Sequence, residues 1–139
     1  GVEDQGWVAW FVIAAVSGRP ITIYGDGKQV RDVLYIEDLL DVYDAAVTQI
    51  DTAAGEVYNI GGGPDRTLSI WKEFGPLLRK LTGRMTNVSY EDWRPGDQLV
   101  YVSDIHKAEE ELGWRPRVDV EEGIRRLHEW VVANQDLFG

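Results

Sequence analysis

The chain has 139 residues, 24 acidic against 14 basic, giving a formal net charge of −10 and a pI near 4.6; that is length enough for one domain with a real core. This balance argues against nucleic acid, whose binding needs a basic face to displace counterions, and against docking on an anionic membrane. No apolar run approaches the roughly 20 residues that span a bilayer. Cysteine is absent, which removes disulfides, thiolate metal sites and thiol nucleophiles, so a soluble, cytoplasmic protein is expected.

The opening Gly1-Val-Glu-Asp-Gln-Gly6 lacks a methionine and any charged-then-apolar leader, and runs straight into Trp7. It reads as the middle of a larger protein. From Trp7 to Val16 almost every position is apolar, which predicts a helix buried on most sides, ended by Gly18 and Pro20. Ile21–Tyr24 predicts a short strand closed by the Gly25-Asp26-Gly27 turn, and Val33–Ile36 a second strand leading into an amphipathic helix with Leu39, Leu40, Val42, Tyr43, Ala46 and Val47. After Gly55, Val57–Ile60 predicts a third strand, followed by Gly61, Gly62 and Gly63. Leu68–Leu81 has a helical pattern that Gly75-Pro76 should kink or break, and Gly83 should cap it. Val88–Tyr90 is a candidate fourth strand before the irregular Trp93–Asp97. Ser103 is placed to N-cap a helix ending at Leu112-Gly113, and Asp119 with Glu122 has capping-box spacing for a last helix carrying Ile124, Leu127, Trp130 and Val131. Trp71, Trp114 and Trp130 read as packing residues. Without repeats or linkers, 1–139 is expected to form a single α/β or α+β domain.

Four local patterns bear on chemistry. Gly25-Asp-Gly-Lys-Gln-Val-Arg31-Asp32 delivers an Arg-Asp pair from a glycine turn; a guanidinium fork suits phosphate oxygens, though a surface ion pair beside a turn has the same sequence. Arg94-Pro-Gly-Asp97 presents an arginine and an aspartate from a rigid loop, or is an ordinary polar turn. Tyr58-Asn-Ile-Gly-Gly-Gly63 looks like a phosphate loop, but Arg66 stands where G-x-G-x-x-G needs its third glycine and no P-loop lysine follows. Asn59 within it is placed to face a ligand. Tyr24 and Lys28 have Tyr-x-x-x-Lys spacing, yet Gly25 and Gly27 between them argue for a turn, which would not bring the two together. His106 and His128 have no ligand spacing and read as helix-face residues, as does the acidic Glu109–Glu111 run; no metal site is expected.

The order of these motifs is more specific than any one. Tyr24-Gly-Asp-Gly27, Gln29-Val-Arg-Asp-Val-Leu-Tyr-Ile-Glu-Asp-Leu39, Tyr58-Asn-Ile-Gly-Gly62, Arg94-Pro-Gly-Asp97 and Asp104-Ile-His-Lys-Ala108 with Leu112-Gly-Trp-Arg-Pro116 together resemble the C-terminal part of extended short-chain dehydrogenase/reductases, the NAD-dependent nucleotide-sugar epimerases and dehydratases. Asp4–Val8 and Gly27–Val33 look most like the CDP-paratose (CDP-tyvelose) 2-epimerase branch. The resemblance implies a substrate-binding portion lacking most of the Rossmann domain. It also implies residue roles: Arg31 and Arg94 on the diphosphate, Tyr24 against the base, Asn59 at the phosphate or nearby sugar, Asp97 on the ribose, and Gln5 and Trp7 toward the hexose or cofactor end. NAD belongs to the full-length family, with no cofactor and no catalytic residue expected within this chain, which should therefore be inactive alone. Its expected partner is a nucleoside-diphosphate sugar. The contrasting expectation is a binding or assembly module that pairs with itself or with a missing Rossmann half, through apolar surface such as the Trp7–Val16 helix. A 4-epimerase, 4,6-dehydratase or sugar-nucleotide reductase origin is the remaining alternative.

Overall fold

A computed structural model describes residues 6–138. The chain divides into two compact units, 1–29 with 69–99 and 124–139, and 30–68 with 100–123.

In the first unit, α1 (Trp7–Ser17) buries five consecutive residues, Phe11 to Ala15. Five in a row include every face of a helix, as its unbroken apolar run requires. β1 (Ile21–Tyr24) buries Ile21 and Ile23 in alternation and pairs in parallel with β4 (Val88–Glu91), Ile21 opposite Val88 and Tyr24 opposite Glu91. Aromatic edges tie the core together: Trp7 meets Phe11 at 5.8 Å and Phe74 at 5.2 Å, and Phe11 meets Trp71 at 5.7 Å between ring centroids. The helix expected from Leu68 begins only at Phe74 (α4, Phe74–Thr82). Residues Thr67–Ser69 instead form β3. Ser69 Oγ accepts the Glu73 N–H at 2.9 Å, while the Glu73 carboxylate accepts Ser69 N–H and Oγ–H at 2.6 and 2.8 Å. Those bonds to the Ser69 backbone and hydroxyl hold the Glu73 carboxyl below its ordinary value. Pro76 therefore falls in the first turn of α4, where a missing N–H leaves no partner unmet.

In the second unit a three-stranded sheet has the order β3-β2-β5. β2 is Val30–Asp32, three residues earlier than the expected Val33–Ile36, and pairs in parallel with β5 (Val100–Tyr101), which the sequence pattern did not reveal. Ile36 already opens α2 (Ile36–Thr48), which a short α3 (Ile50–Ala53) follows. The core is Val42, Ile105, Ala108, Leu112 and Trp114, with Leu34, Leu39, Tyr58 and Ile60 packed on it. Asp38 is buried and accepts the backbone N–H groups of Arg117 and Val118 at 2.9 and 3.0 Å, while the Trp114 indole donates to the Asp38 carbonyl at 2.9 Å. These bonds account for a carboxylate inside a core.

Val57–Ile60, expected as a strand, forms no ladder. Side chains fasten it to α5 (His106–Leu112) instead. Tyr58 Oη donates to Glu111 at 2.7 Å, and Lys107, paired with Glu56 at 2.5 Å, lies 4.8 Å from the Tyr58 ring centroid. Ser103 is not the N-cap of α5; Asp104 Oδ1 accepts the His106 N–H at 3.1 Å. Asp119 does open α6 (Val120–Ala133), accepting the Glu122 N–H at 2.9 Å. Trp130 on α6 is 52 % exposed, edge-on to Phe138, so it is not a core residue, whereas Trp114 is.

Candidate functional site

In the first unit, β1 delivers Tyr24 to the mouth of the Gly25–Gly27 turn. Gly25 has φ 91°, and a Cβ built there would lie 2.8 Å from both Gln29 Nε2 and the Trp93 ring. Only glycine meets both demands. The turn folds Gln29 back beneath the strand end, 1 % exposed, with Nε2 donating to the Tyr24 carbonyl at 2.6 Å and to Asp97 Oδ2 at 3.1 Å. Asp97 closes a turn on Arg94, its N–H donating to the Arg94 carbonyl at 3.1 Å. The Arg94 guanidinium stands 4.0 Å from the Tyr24 ring centroid, a cation–π distance. Three residues singled out from sequence, Tyr24, Arg94 and Asp97, are thus brought together from segments seventy residues apart in the chain.

Gln29 and Trp93 join this group without having been singled out. Trp93 is an aromatic set directly before a Pro-Gly turn, which is a legible signal. Gln29 carries none, because its inward aim follows from the turn geometry. A hollow of about 650 Å³ in the same unit, lined by Trp71, Pro76, Arg79, Lys80 and Met85 among others, shares none of these residues. Trp7 packs edge-on against Phe11 and Phe74, and Gln5 lies outside the described residues. Lys28 folds back on Asp26, which accepts its backbone N–H at 3.0 Å and pairs with its ammonium at 3.6 Å, and no helix joins Lys28 to Tyr24.

In the second unit, Arg31 sits half-buried on β2 and donates from Nη1 to its neighbour's carbonyl, Val30 O, at 2.8 Å. Asp32 accepts the Gly63 N–H at 3.1 Å. Asn59 is exposed on the Val57–Ile60 segment. The glycine run is filled by its own unit. A Cβ at Gly61 would fall 2.2 Å from Ser103 Oγ and 2.5 Å from Asp32, and one at Gly62 would fall 2.1 Å from the Val33 carbonyl. These glycines let chain pass chain, and Arg66 stands where a dinucleotide loop needs its third glycine. The hydrogen bond to Glu111 pushes the Tyr58 hydroxyl up to about 12, and the bond to Lys107 holds the Glu56 carboxyl below its ordinary value. Among the described residues no group of three His, Asp or Glu side chains is placed to hold a metal ion, and no helix is long and apolar enough to cross a membrane.

Comparison with known proteins agrees with the motif order. The family model described as GDP-mannose 4,6 dehydratase matches residues 7–127. CDP-paratose 2-epimerase of Salmonella typhi is 37% identical over 134 residues, 91% of this chain and 39% of the relative, and a dTDP-glucose 4,6-dehydratase of Haemophilus influenzae is 38% identical over 129 residues, 86% and 38% of the two chains. Among solved structures, UDP-glucose 4-epimerase of Thermotoga maritima with UDP-glucose matches at TM-score 0.80 and 34% identity, covering 95% of this chain and 40% of that one. UDP-glucuronic acid 4-epimerase of Bacillus cereus, solved with UDP-glucuronic acid and NAD, matches at TM-score 0.83 and 28% identity, covering 96% and 40%. The chain spans about two fifths of the length of these relatives. With its mixed helix-and-strand make-up and ordered motifs, the chain belongs to the GDP-mannose 4,6 dehydratase family, within the extended short-chain dehydrogenase/reductases that include NAD-dependent nucleotide-sugar epimerases and dehydratases.

Proposed function

We propose that residues 1–139 act as a single substrate-binding portion of a cytoplasmic, NAD-dependent nucleotide-sugar epimerase and bind a nucleoside-diphosphate sugar, a CDP-sugar first among them. The observation that carries this is the Tyr24–Arg94–Asp97 group, in which an aromatic face, a guanidinium and a carboxylate are held on one rigid turn and loop. The chemistry suits a nucleotide: Tyr24 offers a surface for the base, Arg94 a planar fork of donors for diphosphate oxygens, and Asp97 an acceptor for ribose hydroxyls. An acidic protein with a local cation also fits a small anion better than a polyanion. Arg31, in its Val-Arg-Asp motif, is proposed as a further diphosphate contact and Asn59 as a phosphate or sugar contact. Gln5 and Trp7 are proposed toward the hexose end. All four rest on motif resemblance. NAD would supply transient oxidation of a sugar carbon in the whole enzyme, and this chain alone is expected to turn over nothing.

A thermal-shift titration with CDP, UDP, dTDP and NAD⁺, each to several millimolar, tests this. A ligand held at about 100 times its Kd adds roughly 2.7 kcal/mol to the folded state. CDP should raise Tm by several degrees, and Arg94→Ala should weaken binding about tenfold or more, the worth of a charge-assisted hydrogen bond. No shift with any diphosphate overturns the reading, and a UDP or dTDP preference overturns the CDP assignment.

A second reading, an assembly module, draws on α2 rather than on α1. Ile36, Leu40, Tyr43 and Val47 recur at spacings of four and three along α2 and are 54 % to 72 % exposed. α1, whose apolar run prompted the idea, is buried over Phe11–Ala15. Concentration-dependent mass by light scattering, abolished by Leu40→Lys, supports this second reading; a monomer at all concentrations removes it.

A further inference from the structure

We infer that Gln29 is the positioning residue that sets the Tyr24–Arg94–Asp97 group in its binding arrangement, an inference that deepens the nucleotide-binding reading and rests on it. Its side chain is 1 % exposed, so its amide is shut off from bulk solvent. Nε2 spends both hydrogens inside the protein, on the Tyr24 carbonyl at 2.6 Å and on Asp97 Oδ2 at 3.1 Å. A backbone carbonyl and an ionised carboxylate are both acceptors only, so the amide must face them with its nitrogen. That choice turns Oε1 into the interior, where no protein group among the described residues donates to it.

A buried acceptor left unbonded is a cost that offsets part of what the two Nε2 hydrogen bonds contribute. The carboxamide therefore contributes less to stability than two hydrogen bonds alone would, and its larger effect is on geometry. It joins the end of β1 to a loop that enters the chain nearly seventy residues later. Arg94 follows, because the Asp97 N–H closes the turn on the Arg94 carbonyl at 3.1 Å. Displacing Asp97 moves the guanidinium that lies over the Tyr24 ring. The surrounding chain is fitted to the amide: a Cβ on Gly25 would stand 2.8 Å from Nε2. Gln29 holds the binding group through Tyr24 and Asp97, so its effect on a ligand is indirect.

The test uses the full chain with Gln29→Glu, which keeps the shape and replaces both donors, and Gln29→Met, which keeps the reach and removes the orphaned oxygen. Leu78→Ala, in the buried face of α4, serves as a control for lost stability. The probe is whichever of CDP, UDP or dTDP binds the wild-type chain, measured well below every variant's Tm. Gln29→Met, which loses two hydrogen bonds, should lower Tm no more than Leu78→Ala does yet bind at least tenfold more weakly, and Gln29→Glu should bind more weakly still. Leu78→Ala should lower Tm and leave Kd unchanged. Binding by Gln29→Met within twofold of wild type overturns the inference and leaves the nucleotide reading standing. Should the wild-type chain bind none of the three, the nucleotide reading fails, and amide exchange decides what Gln29 does. Faster exchange of the Asp97 N–H in Gln29→Met supports the positioning role, and an unchanged rate overturns it. If neither variant folds, the wild-type side-chain amide of Gln29 is read by NMR. Exchange much slower than that of the exposed Gln98 supports the role, and equal exchange overturns it.

Discussion

At the scale of single residues, two positions show geometry dictating residue type. Gly25 combines a left-handed φ of 91° with a Cβ site 2.8 Å from the Gln29 amide and the Trp93 ring. Gly25→Ala should cost about 1–3 kcal/mol through backbone strain and displacement, visible as a lower denaturation midpoint, and it should weaken nucleotide binding together with stability. Asp38 answers two backbone donors, Arg117 and Val118 N–H, from within the core. Asp38→Ala should cost about 2–4 kcal/mol, since it leaves both donors without a partner; equilibrium urea unfolding measures it, and a loss under 1 kcal/mol would show that water replaces the carboxylate. Neither role is written in the residue itself. Asp38 reads from sequence as an acidic first-turn residue of a helix, and only the approach of 117–118 makes it a cap for another segment.

At the scale of elements, sequence and structure part company where partners are distant. The helices expected from apolar periodicity are present, and α1, α4 and α5 stop at left-handed glycines 18, 83 and 113, because helix periodicity and its stop signals are local. The strands are less local. Val33–Ile36 has the right composition for β2, yet the ladder engages Val30–Asp32. Val57–Ile60, as strand-like a run as any, is held by Tyr58 and Lys107 instead of by a ladder. Strand identity depends on a neighbour's free edge, and composition cannot report that. The position of Pro76 is open to direct test. In the first turn of α4 its ring is pre-organised for the helix, so Pro76→Ala should leave Tm unchanged or slightly lower. A gain of about 3 kcal/mol, the relief of a mid-helix proline, would contradict that placement.

At the scale of the whole molecule, the ion pairs and hydrogen bonds to titrating groups define a pH window. Glu56 and Glu73 are held below the ordinary carboxylate value of 4.5 by Lys107 and by Ser69 respectively. Their contribution is present above that value and is lost as pH falls through their lowered folded-state values. Tyr58, raised to about 12 from 10.0 by Glu111, and Lys107, raised above 10.5 by Glu56, contribute below their ordinary values and lose that contribution as pH rises through the raised ones. Tm should therefore be flat between about pH 5 and pH 10 and fall on both sides. Glu73→Gln should flatten the acid limb, and Tyr58→Phe the alkaline limb; a Tm that declines steadily through neutrality would contradict this assignment. Most of these groups are exposed, so both limbs should be shallower in high salt.

Sequence by itself determined the helices, the absence of cysteine chemistry, the acidic balance and the ordered motifs that mark the family, since each is a property of local spacing or of composition. It also put forward Tyr24, Arg94 and Asp97 as candidate binding residues, through those same motifs. Tertiary structure alone decided that these three meet, that Gln29 and Trp93 stand with them, and that Gly61–Gly63 let chain pass chain. The physical reason is the same in each case. A side chain's hydrogen-bond partners and the space left to a glycine are set by segments tens of residues away, and no window of sequence contains both.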